Sequence, residues 1–152
     1  MIFWFLMAVL IVGADQLLKF VVSSQMLKHE SLTLIPDILN ITYVENKGAA
    51  FSILSDYTWV LSILSVVFCI AIFLYILIKK PKNKLLMVSL IMIFAGALGN
   101  AIDRVFLGYV VDFIEVRFID FPIFNLADIS ITVGAGILMV YEIFFDREKK
   151  DE

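Results

Sequence analysis

Four nearly unbroken apolar stretches set the rhythm of this chain: Ile2 to Val22, Thr58 to Ile78, Leu85 to Ile102, and about Ala127 to Phe145. Each falls in the range of about 17–25 residues that an α-helix needs to cross a bilayer, so the pattern predicts four membrane spans. The first stretch also looks like a secretory signal, since Gly13 and Ala14 are small. It has no basic start and no A-x-A pattern, and its apolar run continues past Asp15, so it reads as a span. Between the first two spans, residues 23–57 change register. Asn40 to Glu45 alternates apolar and polar positions and Ile38 to Val44 is rich in β-branched residues, which predicts a short strand and a β-rich segment beside the membrane. The connection Gly108 to Phe124 is β-rich too, at Tyr109-Val110-Val111 and Val116-Arg117-Phe118-Ile119, and predicts a strand or interfacial piece. The fold expected is one membrane domain over residues 1–152, an all-α four-helix transmembrane bundle with a small extracytoplasmic β-rich segment.

Charge orients this arrangement. The turn Lys79-Lys80-Pro81-Lys82-Asn83-Lys84 holds four lysines in six residues, and cations favour the cytoplasmic side, so both termini are expected in the cytoplasm and both longer connections outside. With 62% hydrophobic and 18% charged residues and a net charge of -3, the chain has no basic surface for nucleic acid. Cys69 is the one cysteine, which leaves neither a disulfide framework nor a cysteine metal site. The tail Asp146 to Glu152 is mixed in charge and reads as a frayed end.

Ionisable groups in apolar helices cost a few kcal/mol each, about 2.5–3.5 on insertion scales, so each one asks for a reason. In the expected topology they gather at one face: Asp15 and Lys19 in the first span, Asn100 and Asp103 at the end of the third, Asn125 and Asp128 at the start of the fourth, and Asp112 in the connection between. Each has a structural reading as well. Asn125 with Asp128 three residues on has the form of a helix cap with an acidic first turn. Asp103 beside Arg104 reads as an ion pair or interfacial anchor, and Asp15 with Lys19, four apart on one face, as mutual neutralisation. Asp112, between Val111 and Phe113, is the hardest to explain as a solvated charge. His29 is a lone loop histidine, and no H-E-x-x-H motif points to zinc. Two carboxyls close together in a low-dielectric site do not both ionise cheaply, so one keeps a proton and the pair becomes an acid and a base that needs no metal or cofactor.

With Gly99-Asn100-Ala101-Ile102-Asp103-Arg104, Val110-Val111-Asp112-Phe113-Ile114 and Phe124-Asn125-Leu126-Ala127-Asp128 in order, the chain closely resembles the lipoprotein signal peptidases, the type II signal peptidases of bacteria. Ala14-Asp15-Gln16 with Lys19, and Glu45-Asn46-Lys47-Gly48-Ala49-Ala50-Phe51, extend the likeness nearly end to end. The resemblance implies an aspartic endopeptidase of the bacterial cytoplasmic membrane that acts at the extracytoplasmic face. Its substrate would be a diacylglyceryl-modified prolipoprotein cut just before the lipidated cysteine, with membrane lipid around it. By motif position the catalytic pair is Asp112 and Asp128. Asp15, Lys19, Asn46, Gly48, Asn100, Asp103, Arg104, Asn125 and Ala127 match residues that support the site or hold substrate, and inhibition by cyclic peptide antibiotics of the globomycin type is implied as well. The chain departs from the family pattern at Ala95, where glycine is common, and at Ile129, where a small residue often follows the second aspartate. Neither change removes a catalytic group.

Other functions compete for the same residues. A serine–lysine dyad of Ser52 and Lys47 needs a buried lysine, and Lys47 sits in a wet loop sequence. An ion or proton pathway needs acids at several depths, whereas these lie at one face. A non-catalytic scaffold leaves the acid cluster unexplained.

Overall fold

A computed structural model of the chain describes residues 2–48 and 58–145. Ala49 to Phe51 of the outer motif, Ser52 of the alternative dyad and the tail Asp146 to Glu152 lie outside the described residues. The elements are α1 (Ile2–Gln25), β1 (Ser31–Ile35), β2 (Leu39–Asn46), α2 (Thr58–Lys79), α3 (Lys84–Phe106), β3 (Val110–Val116) and α4 (Leu126–Phe144). All four helices are long and apolar enough to cross a membrane.

Local chemistry fixes the helix ends. The Asn83 side chain accepts from Leu85 N at 2.8 Å and Leu86 N at 3.2 Å, capping the start of α3. Asn125 caps α4 and forms a reciprocal capping box with Asp128. Beyond α2, Lys80 takes a left-handed φ of 45° and Pro81 prevents the helix from continuing. One boundary differs from expectation: α3 runs past Ile102 to Phe106, so Asp103 and Arg104 belong to the helix rather than to the connection after it. Partners described below satisfy Asp103 and let the helix carry a charge there without breaking.

Helix α3 is the hub and packs against α1, α2 and α4. Its close approach to α4 and α1 requires glycine: a Cβ at Gly96 would run into the Ala127 carbonyl oxygen and lie 2.8 Å from Ile131, both on α4, and one at Gly99 would lie 2.6 Å from the Asp15 carboxylate on α1. Small residues that bring backbones together are how helices associate when lipid offers no hydrophobic drive between them.

The strands form one antiparallel sheet in the order β1-β2-β3. The expected strand in the first connection is present but reaches Asn46, and it is joined by β1, which the sequence reading did not include. In the second connection Tyr109-Val110-Val111 leads into a single strand that ends at Val116, while Arg117 to Asp120 form a turn rather than a second strand. Val111 and Phe113 of β3, with Tyr43 of β2, pack on Val22 near the end of α1 and so seat the sheet on the bundle. The ladder sets Val44 opposite Asp112, Glu45 opposite Val111 and Asn46 opposite Val110. Asp112 therefore stands on a strand held between sheet and helices, not in an irregular loop.

Candidate active site

The polar residues singled out in the sequence form one connected cluster where α1, α3 and α4 meet the sheet. At its base, buried Lys19 lies 2.9 Å from the carboxylates of both Asp15 and Asp103 and donates to Asn100 Oδ1 at 2.9 Å. Lys19 and Asp15 do neutralise each other, but in the bundle interior instead of at an interface. Asp103 pairs with Lys19, not with Arg104 as its sequence neighbour implied, because α1 and α3 pack face to face there. Its other contacts tie the sheet down: Val111 N donates to Asp103 Oδ2 at 3.0 Å. Asp15 Oδ1 accepts from Ala127 N at 2.9 Å, which satisfies a free amide in the first turn of α4. Two buried anions sharing one cation, each also taking backbone or amide hydrogens, meet the condition under which buried charge is tolerated.

Asn100 and Asn125 carry the network upward. Asn100 Nδ2 donates to Asp128 Oδ1 at 2.7 Å, and Asn125 Nδ2 donates to Asp112 Oδ1 at 2.6 Å and to Asn100 Oδ1 at 3.1 Å. The capping reading of Asn125 holds at the same time, because its Oδ1 accepts from Asp128 N at 2.9 Å while Asp128 Oδ2 accepts from Asn125 N at 3.1 Å. The cap thus orients one carboxylate and the same asparagine's amide binds the other. On the sheet side Asn46 Nδ2 donates to Asp112 Oδ2 at 2.9 Å, and its Oδ1 accepts from Gly48 N at 2.9 Å. Arg104 reaches across to donate to the Gly48 carbonyl at 3.3 Å.

Asp112 and Asp128 line one cavity of about 520 Å³ together with Asn46, Asn100 and Arg104, and Val110, Phe124, Ile131 and Val133 give it a largely apolar wall. Ile129, the departure after Asp128, also lines it. Burial pushes the Asp112 carboxyl up to about 7; the nearby Asp128 charge works in the same direction, against hydrogen bonds from Asn46 and Asn125 and the more distant Lys19 cation. Asp112 therefore holds its proton across a pH range in which an ordinary carboxyl has lost it.

One member of the cluster escaped sequence reasoning. Gln16 Nε2 donates to Asp103 Oδ1 at 2.9 Å and to the Gly99 carbonyl at 3.1 Å, bracing α1 against α3. A glutamine beside Asp15 in the first span was its only signal. Lys47 lies outside the network, and its proposed serine partner is not among the described residues.

A family model for signal peptidase (SPase) II matches residues 7–145. The chain belongs to the signal peptidase II family. It is 42% identical over 130 residues to a lipoprotein signal peptidase of Streptococcus thermophilus, which covers 86% of this chain and 85% of that protein. A lipoprotein signal peptidase of Staphylococcus aureus is 40% identical over 149 residues, 97% of this chain and 91% of that one. The fold matches a bacterial membrane enzyme solved by the in meso method at 2.3 Å resolution, with a TM-score of 0.90 and 38% identity over 98% of this chain and 92% of that one. A second such enzyme, solved at 1.9 Å, gives a TM-score of 0.84 and 39% identity over 94% of this chain and 93% of that one.

Proposed function

We propose that the chain is an aspartic endopeptidase that removes signal peptides from diacylglyceryl-modified prolipoproteins, with Asp112 as the acid and Asp128 as the base. The observation that carries this reading is the pair itself: two carboxylates on one cavity, one buried and holding its proton near neutrality, each aimed by its own amide donors. Asp128 takes a proton from water as the water oxygen attacks the scissile carbonyl carbon, and Asp112 gives its proton to the carbonyl oxygen. Collapse of the tetrahedral intermediate breaks the C–N bond. Asp128 then passes its proton to the leaving amine and Asp112 recovers one from the hydroxyl, which restores both groups. Asn100 and Asn125 hold the carboxylates in place, and Arg104 and Gly48 border the peptide path. Lys19, Asp15, Asp103 and Ala127 form the base on which these residues rest.

The apolar wall suits a lipidated substrate. Acyl chains stay in the bilayer beside α4 while the peptide crosses the carboxylates, and at about 0.8 kcal/mol per buried CH₂ they anchor the scissile bond far better than a short peptide does. Cyclic peptide antibiotics of the globomycin type would compete for the same cavity. The lysine turn Lys79 to Lys84 supports a cytoplasmic location for that end and an extracytoplasmic one for the site. A cysteine placed at Asn83 should therefore resist an impermeant reagent added to intact cells; labelling from outside would invert the topology.

The decisive assay follows cleavage of a lipidated precursor by the purified protein. Asp112→Asn and Asp128→Asn should each lower turnover by roughly 100- to 10,000-fold while the protein stays folded, since asparagine keeps the shape but exchanges no proton. A precursor whose acceptor cysteine is changed to serine should be cut poorly by the unaltered protein. Near-normal turnover by either asparagine variant refutes the dyad, and equal rates on the two precursors refute the lipid anchor.

A further inference from the structure

At the end of the bundle away from the acid pair, the turn between α2 and α3 borders a second cavity, of about 480 Å³, between that turn and the last turns of α4. Lys79, Lys80 and Lys82 line it with Tyr75 and Tyr141, and Glu142 is its single acidic residue. Among the described residues none of these three lysines makes an ion pair, and Glu142 is the one carboxylate that lines the cavity with them. Cytoplasmic lysines orient a membrane protein wherever they point, so topology alone does not require them to converge on a cavity. The turn is held in shape by Pro81 and by Asn83, whose side chain caps α3.

The depth of this cavity narrows its ligand. The 22 residues of α2 rise about 33 Å, close to the hydrocarbon thickness of a bilayer, which sets the turn at the level of the lipid headgroups. Just inside it, Leu74, Leu77 and Ile78 of α2 are exposed and offer an apolar track toward the bilayer centre. Three lysines against one acid, with an apolar track leading away from them, match an anion that carries acyl chains. A free phosphate would use the lysines and leave the track empty. We propose that this cavity binds the headgroup phosphate of an anionic phospholipid, with its acyl chains along α2. The site is separate from the acid pair, and the proposal does not depend on the reaction assigned there.

To test it, the full chain is placed in lipid discs of phosphatidylcholine with or without phosphatidylglycerol, and the lipid still bound after ejection is counted by native mass spectrometry. Phosphatidylglycerol should be retained over phosphatidylcholine. The triple variant Lys79→Gln, Lys80→Gln, Lys82→Gln should weaken that retention by roughly fivefold per lysine, the weight of one cation at an anionic membrane surface. Replacement of the same three by arginine should preserve it, and Glu142→Gln should strengthen it. Lys28→Gln, which removes a lysine paired with Glu45 at the sheet, should leave it unchanged. Equal retention by the glutamine triple variant and the unaltered protein overturns the proposal. So does a thermal shift with inorganic phosphate in phosphatidylcholine discs as large as that with phosphatidylglycerol, because the ligand would then be free phosphate.

Discussion

Helices α2 and α3 are neighbours of nearly equal length, and the more apolar of the two is the less buried. Three residues of α2 are buried (Leu61, Cys69 and Ile76), against twelve of α3, among them Ser89, Gly96, Gly99, Asn100 and Asp103. In water the order would be reversed, since apolar faces drive burial there. In a bilayer lipid is as apolar as leucine, so large apolar side chains gain little by facing protein, while small and polar ones mark the interior. Eight of the twelve buried residues of α3 are accordingly small or polar, beside Met87, Leu90, Ile91 and Ile93.

The sharpest way to break the comparison is to remove the cation at its centre. Lys19→Met strands Asp15 and Asp103 as buried anions, and loss of one partner of a buried ion pair costs about 3–5 kcal/mol. Thermal unfolding, followed with a thiol-reactive dye that reports exposure of buried Cys69, should fall steeply. Adding Asp103→Asn should recover part of the loss; no recovery would mean that Lys19 acts by packing alone. A milder break is Gly96→Val. The added carbons meet the α4 backbone at Ala127, and overpacking of this kind costs about 1–3 kcal/mol. The matching change on α2, Ile70→Ala at a lipid-facing position, should stay within about 0.5 kcal/mol. If both changes cost the same, the inward and outward helices do not differ as argued.

The smallest effect is a shift of pH profile. In kcat/KM the alkaline limb should report loss of the Asp112 proton, near 7. Asn46 donates to the ionised carboxylate and so favours release of that proton. Asn46→Ala should therefore move the limb upward, with Asp112 holding its proton to higher pH. A limb that stays or moves down would show that Asp112 is not the group being titrated.

Much of this cluster was legible because a charge or amide in an apolar helix stands out against its neighbours, whatever structural role it also has. Asp15, Lys19, Asn100, Asp103, Asn125 and Asp128 each interrupt a hydrophobic run, and the turn cations placed them at one end. Their partners were not legible in the same way. Asp103 sits next to Arg104 in the chain but binds Lys19, a pairing that depends on how α1 packs against α3. Gln16 looked neutral beside Asp15, although it braces the same two helices. Strand β1 was passed over although Ser31-Leu32-Thr33-Leu34 alternates polar and apolar residues; at five residues it is short, and in the fold it is exposed along its whole length. The extension of α3 past Ile102 followed from partners that satisfy Asp103, which a count of apolar residues does not contain.

The cluster takes its members from α1, β2, α3, β3 and α4, and Asn125, which caps α4, and Asp128 within it follow all the others in the chain. Until α4 is in place Asp112 lacks the Asn125 amide and Asp15 lacks the Ala127 N–H. A chain halted during biosynthesis between β3 and α4 thus carries Asp112 without Asp128. On the mechanism proposed above, such a copy has an acid but no base, and so it does not yet cleave the other nascent chains that pass through the same membrane.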